Sequence, residues 1–509
     1  MKKRVVNDAF SLLHTDAYST IGLQEANIYE KYPSIYWVTA NLISMSESYE
    51  QEEVEDEFFK VKEKTTNYGK VATAISRVQL EGTKVELPNI NESELGFIPN
   101  EKDNSILFGL KAISGINNET VNNIIKNRPY NNLADFQKKL VDTKVETLDS
   151  NGKVKKKSLV SLGQTITLIK AGAFDKLENK DRTTILEDYL HLNFPNKKSV
   201  TMQNINKIIE MGIVTEEYKI YIRYYNFKKY ISSFKNKTKE KDSNVTWVLI
   251  KEDNEEDTEM TIQFLCEHFT PYMEEDKGYR YTEEGELEIA LNTDRKGSFN
   301  KVYNDYMATF KKWLNSKEFL NLYNTIQFNE IKNKYMVGNP SSWEMESLSM
   351  YYGEHELANV NKEKYDIVNF FELEETPKVI GYNEYKNVQY PKYELVRIAG
   401  TVLDRNKNKH MVTLLTTDGV VTLKFYKGQF NFYDKTNSTI DEATGEKIKL
   451  EEGWFKKGTK LLVTGYRRND VFAPKKYKNS IFRHTLQKIN KILDNGDLEL
   501  QSDRIKEGE

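Results

Sequence analysis

Apolar and polar residues follow two different periods along this chain. Near the beginning, Ile35, Val38 and Leu42 recur at helical spacing after Pro33, a residue that suits the first turn of a helix. From about residue 395, apolar and polar positions alternate instead, which is typical of strands with one buried face. Such strands are predicted near residues 395–403, 411–415, 420–426 and 460–466. The chain is therefore predicted to begin helical and to end in a β domain.

Two further regions lie between these ends. Residues 81–195 hold short apolar segments separated by glycine turns, which predicts short helices. Residues 196–390 are irregular and are interrupted by charged runs that are typical of loops or linkers. The predicted regions are 1–80, 81–195, 196–390, 391–490 and an acidic, frayed tail at 491–509. The predicted fold class is α+β with several domains.

Composition narrows the class of protein. The 509 residues leave room for about two to four domains. The single cysteine, Cys266, excludes an internal disulfide and indicates a reducing compartment, and a small buried apolar residue is favoured over a reactive thiol. No apolar run approaches the roughly 20 residues of a membrane helix, and no signal-like segment follows the charged start. A cytoplasmic protein without membrane contact is expected.

Charge is distributed unevenly, although the net charge is only −3. Residues 47–57 contain seven acidic and no basic residues, which predicts a solvated helix. By contrast, residues 456–483 contain nine basic residues against one acid, Asp470. Such a basic strip favours contact with phosphate groups, and a solvated lysine-rich surface is the alternative.

Several short segments follow one another in an informative order. Residues 10–35 include His14, Ala17 and Tyr18, and residues 171–175 read Ala-Gly-Ala-Phe-Asp. Further segments lie at residues 85–93, 106–116 and 346–357. In this order they resemble segments of the bacterial C-family replicative DNA polymerases, the DNA polymerase III alpha and PolC type. The β-rich region lies where that family carries its OB domain.

The resemblance implies an assignment for each region. Residues 1–80 correspond to the C-terminal part of the fingers domain, 81–195 to a tandem helix-hairpin-helix domain, and 391–490 to an OB-fold β-barrel. Residues 196–390 form an irregular α/β insertion or connector, which ends in a degenerate version of the family's Leu-Gly-x-Tyr-x-Ser-Gly-His-Pro segment. The chain then corresponds to the C-terminal half of such a polymerase.

The family's catalytic residues have no counterpart in this sequence. Polymerisation needs paired carboxylates that hold two metal ions about 4 Å apart, and in the family these include an Asp-x-Asp pair on a palm strand. Neither Asp-x-Asp nor a Walker-type phosphate loop occurs here, and the histidines are too scattered for a local metal site. The resemblance therefore implies a second polypeptide with the palm, the thumb and, as an option, a PHP domain. Mg²⁺ is expected in that palm and no cofactor in this chain, which alone is predicted to be inactive.

The segment nearest to nucleotide chemistry matches the family only in part. In the family, Phe-Asn-Lys-Ser-His-Ala lies close to the triphosphate, whose oxygens such side chains neutralise or hydrogen-bond. Here Phe10 and His14 match, but Ser-Leu-Leu at residues 11–13 replaces the Asn-Lys-Ser. His14 and Arg4 are the candidate nucleotide-binding residues, and an ordinary helix start at His14 is the alternative.

The strongest binding candidates lie in the first helix-hairpin-helix unit. Such units bind DNA without sequence preference, because a glycine-bearing hairpin and a helix N-terminus direct N–H groups at phosphate oxygens. Residues 109–116 have the required glycine spacing. Asn117 takes the place of a second glycine, since asparagine visits the left-handed region more readily than most residues. The candidate DNA contacts are Lys111, Ser114, Gly115, Asn117 and Asn118.

A second unit is predicted around the Ala-Gly-Ala-Phe-Asp segment. Its candidate DNA contacts are Lys170, Gly172, Lys176 and Arg182. A purely structural role is the alternative, because Ala-Gly-Ala permits close packing of helices.

The predicted barrel supplies the remaining candidates. OB folds commonly bind single strands on one face, with aromatic rings that stack on bases and basic groups that hold phosphates. Half of the aromatic residues are expected in the barrel core instead. The candidate residues are Arg405, Lys407, Lys409, Lys424, Tyr426, Arg467, Arg468, Lys475 and Lys476.

The aromatic and basic run from Tyr218 admits two interpretations. Its rings are suited to stacking on single-stranded bases, but a packed helix with outward lysines is favoured. The family's sliding-clamp peptide begins with Gln and ends in Leu-Phe, and no glutamine here starts such a pattern. Binding of a clamp is therefore not implied.

Two functions stay open at the level of sequence. The first is a non-palm subunit of a split C-family DNA-directed DNA polymerase, which completes the fingers of another chain and binds template–primer duplex and single-stranded template in DNA replication. The second is a stand-alone DNA-binding accessory factor without polymerase activity, and an inactive remnant is a third. Lysine- and asparagine-rich usage with few prolines is typical of an AT-rich genome, such as that of a phage.

Overall fold

The computed structural model describes most of the chain. The described residues are 19–24, 26–27, 30–47, 49–53, 62–66, 68–148, 154–239, 245–292, 296–385, 388–440, 447–478 and 481–505. The candidate nucleotide contacts His14 and Arg4 lie outside them. The chain forms two compact units, Met1–Tyr189 together with Met336–Glu509, and Leu190–Tyr335. None of the described helices is long and apolar enough to cross a membrane.

The first unit begins with the predicted helix after Pro33. Its first elements are α1 (Ser34–Glu47), β1 (Tyr49–Glu53), β2 (Lys62–Thr66) and α2 (Tyr68–Leu80). Ile35 and Leu42 are buried, as their spacing predicts. The prediction of a helix across residues 47–57 is wrong for β1, which pairs antiparallel with β2. A local charge pattern does not reveal a backbone partner further along the chain.

Short helices and small sheets follow, as the glycine turns predict. They are β3 (Lys84–Glu86), β4 (Ile98–Asn100), β5 (Ser105–Leu107), α3 (Asn118–Lys126), α4 (Leu133–Phe136), β6 (Lys144–Leu148), β7 (Val154–Ser158), α5 (Leu162–Lys170), α6 (Asp175–Glu178) and α7 (Arg182–Asn193). The ring of Phe136 meets those of Tyr130 and Phe174 edge to face, with centroids 5.0 and 5.1 Å apart. The two predicted helix-hairpin-helix units therefore share one aromatic core.

The second unit has its own core. It contains α8 (Ile205–Glu210), α9 (Glu216–Ser233), β8 (Lys237–Lys239), β9 (Thr246–Leu249), α10 (Glu255–His268), β10 (Tyr279–Tyr281), β11 (Leu287–Ala290), α11 (Phe299–Leu314) and α12 (Lys317–Tyr335). The strands form one sheet in the order β10-β11-β9-β8. The prediction of a mixed α/β middle region is confirmed, and apolar residues spread between its charged runs converge on one core. The packed-helix interpretation of the Tyr218 run is confirmed, since the ring of Tyr221 stacks on that of Phe310 at 5.3 Å.

The chain then returns to the first unit and forms a barrel. The elements are α13 (Pro340–Leu348), β12 (Val379–Tyr385), β13 (Val388–Tyr393), β14 (Val396–Asn406), β15 (Met411–Thr416), β16 (Gly419–Lys424), α14 (Lys427–Asp434), β17 (Asn437–Ile440), β18 (Lys447–Glu451), β19 (Lys460–Arg468), β20 (Val471–Pro474), β21 (Leu486–Ile492) and β22 (Leu498–Gln501). Strands pair in the order β14-β15-β16-β20-β19, and β19 pairs again with β14, which closes a five-stranded barrel. The predicted OB fold is thereby confirmed. Strands β15 and β16 alternate buried and half-buried residues, as the period-two pattern requires, whereas β14 and β19 are buried continuously in their middle parts.

The predicted frayed tail is wrong for its described part. Strand β22 pairs antiparallel with β21 and extends the sheet. The guanidinium of Arg504 is buried and pairs with Glu451 at 3.0 Å. Local acidity predicted exposure, but this ion pair joins residues that are distant in the chain, so the tail pattern does not encode it.

Candidate nucleic-acid interface

The first predicted hairpin is built around Gly115 and the start of α3. Gly115 has a φ of +78°, a left-handed conformation that glycine adopts without strain. Asn117 is extended, with a φ of −97°, and its side-chain oxygen accepts the N–H of Thr120 at 2.8 Å. The expectation of a left-handed Asn117 is therefore wrong. It is the N-cap of α3 and satisfies one donor that the first turn leaves without an intrahelical partner.

The same hairpin exposes residues that were predicted to meet phosphate. Gly115, Asn117 and Asn118 are exposed. A Cβ added at Gly115 would meet no atom of the described residues within 4 Å. The N–H of Ser114, by contrast, donates to the backbone oxygen of Ser347 at 2.8 Å. The hairpin is therefore fixed on α13 at one point and open to a ligand at its tip.

The N-termini of α3 and α5 lie side by side behind this tip. Ser161 caps α5 and forms a capping box with Gln164. The Nε2 of Gln164 donates to Oγ1 of Thr120, in the first turn of α3, at 2.8 Å. Because a helix N-terminus carries partial positive charge, two adjacent ends favour an anion. Sequence reasoning missed this second end, although Ser-x-x-Gln is a capping-box signature.

The second predicted group of contacts lies mostly inside the protein. The guanidinium of Arg182 pairs with Asp175 at 2.7 Å and with Glu344 at 3.0 Å. The side chains of Arg182 and Glu344 are only 7% and 6% exposed. Gly172 has a φ of +83°, and a Cβ there would come within 2.7 Å of an Arg182 nitrogen. Arg182 and Gly172 therefore belong to the interior and present no surface to a duplex, contrary to the expectation.

The lysines of the candidate sets take different positions. The Nζ of Lys170 lies 5.6 Å from the ring centroid of Trp343, and its side chain is 16% exposed. Burial lowers the pKa of Lys170, against the opposing effect of Glu346. Lys176 is exposed, and Lys111 is half-buried in the turn before the first hairpin. The Ala-Gly-Ala segment therefore fits the alternative of a purely structural role. Lys176 is the exposed basic residue of this group.

Helix α2 packs on part of the outer face of the first three barrel strands. Gly69 packs so closely that a Cβ there would come within 2.8 Å of Asp404 Cβ on β14. Ala72 and Leu403 share a small core against which Leu415 of β15 and Val420 of β16 pack. OB folds commonly bind single strands on the face of their second and third strands. In this chain a helix occupies part of that face.

The basic loop between β14 and β15 is partly neutralised. Arg405 pairs with Asp434 at 2.6 Å, and the Nζ of Lys407 lies 3.9 Å from the same carboxylate. Lys409 is exposed and lines a cleft of about 570 Å³ that α1 and α2 form with the barrel. Lys407 and Lys409 are therefore both exposed in this loop, whereas Arg405 is paired with Asp434.

Aromatic and basic side chains gather on another wall of the barrel. The ring centroids of Tyr393 and Tyr466 are 4.7 Å apart. The Nζ of Lys475 lies 5.8 Å from the ring of Tyr426, which is 72% exposed. Burial and the neighbouring tyrosines raise the pKa of Tyr466. We call this group the tyrosine patch, and it comprises Lys392, Tyr393, Tyr426, Tyr466, Lys475 and Tyr477.

Arg467 and Arg468, both predicted to contact a single strand, differ in their surroundings. The side chain of Arg467 is 11% exposed, and its Nη1 donates to the backbone oxygen of Leu373 at 2.6 Å. Its guanidinium also lies over the ring of Phe370, at 4.8 Å. Arg467 therefore fixes the segment before the barrel, whereas Arg468 is exposed. Two further candidate residues of the barrel, Lys424 and Lys476, are exposed as well.

His355, in the degenerate family segment, is held at the barrel. Its Nε2 donates to the backbone oxygen of Leu415 at 3.2 Å, and its Nδ1 accepts the N–H of Leu357 at 3.0 Å. Burial lowers the pKa of His355 to about 4, so the ring is neutral at pH 7. Both ring nitrogens therefore form hydrogen bonds with the backbone. Within the described ranges, no group of three or more His, Cys, Asp or Glu residues is arranged to hold a metal ion.

Comparison with known proteins agrees with this geometry. A family model described as a helix-hairpin-helix motif matches residues 82–185. The chain is 37% identical over 504 residues, 99% of its length, to "Probable DNA polymerase YorL" of Bacillus subtilis strain 168. The same values hold for the "DNA-directed DNA polymerase" of Bacillus phage SPbeta. It is also 36% identical over 129 residues to DNA polymerase III subunit alpha of Aquifex aeolicus, which is 24% of this chain and 10% of that protein.

The extent of these matches defines what is shared. The chain spans 36% of the length of the first two polymerases, so it is similar to a part of each. The resemblance predicted from the order of motifs is confirmed by the Aquifex relative and by the helix-hairpin-helix match. Along nearly its whole length, the chain is therefore similar to part of two DNA polymerases, and over 129 residues it is similar to part of a DNA polymerase III subunit alpha.

Proposed function

We propose that this chain is the DNA-binding, non-palm subunit of a C-family DNA-directed DNA polymerase that acts in DNA replication. The observation that carries the proposal is the similarity of 99% of the chain to two DNA polymerases. On this proposal, the catalytic carboxylates and their Mg²⁺ lie on a second polypeptide with the palm and the thumb. This sequence contains no Asp-x-Asp pair, so the proposal assigns these carboxylates to residues outside it.

The template–primer duplex is proposed to bind at the paired N-termini of α3 and α5. Gly115 and Asn118 are exposed at this end, where the first N–H groups of a helix lack intrahelical acceptors. Contacts of this kind bind the phosphate backbone and carry no base specificity. That property suits a replicative enzyme, which must accept every template sequence.

Single-stranded template is proposed to bind at the tyrosine patch. The usual OB face is unsuitable in this chain, because α2 packs on it. Stacking of one base on an aromatic ring contributes about 1–3 kcal/mol and tolerates any base. Lys475 and the exposed Arg468 supply positive charge beside the rings.

The beginning of the first unit is proposed to complete the fingers of the second polypeptide. Ile21, Leu23, Tyr32 and Tyr36 are between 43% and 67% exposed. Apolar groups that lie this close together in sequence and face solvent support a surface that another protein covers.

Primer extension tests the proposal. The chain alone, a C-family polypeptide with an Asp-x-Asp palm encoded beside it, and their mixture are compared on one primed template with Mg²⁺. Extension only by the mixture is expected. Equal extension by the palm polypeptide alone would show that this chain is an accessory DNA-binding factor, and extension by this chain alone would overturn the division of roles.

A further inference from the structure

A two-stranded ribbon in the helix-hairpin-helix region carries lysines on both of its faces. Strands β6 and β7 pair only with each other among the described strands. Lys155, Lys156 and Lys157 of β7 are exposed. Because side chains alternate along a strand, Lys155 and Lys157 lie on one face and Lys156 on the other. Lys144 pairs with Ser158 and therefore shares the face of Lys156, on which Glu146 lies opposite Lys156, so this face has two basic residues and one acidic residue.

The base of this ribbon lies at the proposed duplex site. The Nζ of Lys157 is 3.4 Å from the carboxylate of Glu119, in the first turn of α3, and both side chains are exposed. Strand β7 leads directly into Ser161, the cap of α5. The Nδ2 of Asn123 donates to the backbone oxygen of Leu159 at 3.2 Å and holds this connection on α3. The end of β7 therefore lies beside the N-termini of α3 and α5.

The ribbon lacks the usual source of stability. A two-stranded sheet that buries no apolar face is marginal in water, and β7 is exposed along nearly its whole length. Lysines on strand edges prevent unwanted pairing with other strands. Prevention of strand pairing does not require lysines on both faces of the ribbon. It also does not require that the ribbon lie beside two helix N-termini. A ligand with negative charge on two sides accounts for both features.

We propose that this ribbon enters the major groove of the bound duplex. Lys155 and Lys157 then face one phosphate backbone, and Lys144 and Lys156 face the other. The major groove is about 12 Å wide and admits a two-stranded ribbon. Five residues per strand span about 16 Å, which corresponds to roughly five base pairs. The inference rests on the proposed function, in which this chain binds a duplex. It adds the ribbon lysines to the duplex contacts proposed at the hairpin.

The salt dependence of duplex binding tests this assignment. In the triple variant Lys155→Gln, Lys156→Gln, Lys157→Gln, three phosphate contacts are lost. The slope of log Kd against log salt should then fall in magnitude by about 2 to 3 for any duplex sequence. Fluorescence anisotropy with two unrelated duplexes measures it. The matched control is Lys237→Gln with Lys239→Gln, on the exposed strand β8 of the second unit, which should keep the wild-type slope.

A tethered cleavage experiment gives a second readout that does not depend on affinity. Lys156→Cys in a Cys266→Ser background carries an iron chelate and should cut both strands of a bound duplex within a few base pairs. Cuts on one strand only, or none, would overturn the groove placement. An unchanged salt slope in the triple variant, with a wild type that binds duplex, would overturn the ribbon and leave the proposed function standing. Failure of the wild type to bind any duplex would overturn both.

Discussion

The two glycine turns of the helix-hairpin-helix region have nearly the same backbone and opposite surroundings. Gly115 has a φ of +78° and Gly172 a φ of +83°. A Cβ at Gly115 would extend away from the described residues, whereas one at Gly172 would collide with Arg182. A glycine with left-handed φ thus forms a surface hairpin in the first helix-hairpin-helix unit and permits close packing in the second helix-hairpin-helix unit. Glycine spacing predicts the turn, but contacts from elsewhere in the chain decide its use.

The buried turn belongs to a larger set of contacts that we call the interior seam, formed by Lys170, Gly172, Asp175, Arg182, Trp343, Glu344 and His355. Glu344 connects its parts, because one oxygen pairs with Arg182 and the other accepts the N–H of Tyr352 at 2.9 Å. The ring centroid of the adjacent Tyr351 lies 4.3 Å from that of His355. The seam joins the helix-hairpin-helix region to the barrel. If the comparison holds, changes in the seam reduce stability and changes in the hairpin reduce DNA binding.

The largest effect is expected at Arg182. Arg182→Met leaves the buried Glu344 and the half-buried Asp175 without their cation, which should lower the local free energy of unfolding by about 3–5 kcal/mol. Hydrogen exchange of amides in α5 and α7 measures this loss. Lys176→Met, at an exposed base of the same motif, is the control and should change stability by less than about 0.5 kcal/mol. A stable Arg182 variant that loses duplex affinity would break the comparison.

The second largest expected effect is a pH dependence of stability that arises from His355. Burial lowers the pKa of His355 to about 4, whereas an unfolded histidine binds its proton near pH 6.5. Below pH 6.5, His355 therefore binds a proton in the unfolded chain but stays neutral in the folded chain until the pH approaches 4. Stability is complete above this pH and should fall by about 2 kcal/mol between pH 6.5 and 5. Denaturant unfolding of His355→Gln should lack this part of the pH dependence. An equal dependence in both proteins would assign it to other groups.

Sequence reasoning captured the elements better than their surroundings. The barrel strands and the first hairpin were predictable, because period-two patterning and glycine spacing are local signals. The position of Arg182 was not, since its partner Glu344 lies 162 residues further along the chain. The same limit applies to Arg467, which is fixed by the backbone of Leu373, and to the covered face of the barrel. A basic residue in a motif is equally compatible with a phosphate and with a buried carboxylate.

The smallest effect on stability, and the sharpest test of the comparison, comes from one methyl group at each turn. Gly115→Ala places a side chain in a left-handed turn, which costs about 1–2 kcal/mol, partly offset by a less flexible unfolded chain. The methyl group extends into the space where a phosphate is proposed to approach, so duplex affinity should fall at least tenfold.

Gly172→Ala has the same backbone strain, but Arg182 must also move, so its loss of stability should exceed that of Gly115→Ala. Its folded fraction should bind duplex like the wild type, because Gly172 faces no solvent. Thermal melts and anisotropy on both variants measure the two quantities, and equal losses of affinity would show that the buried turn also shapes the DNA surface.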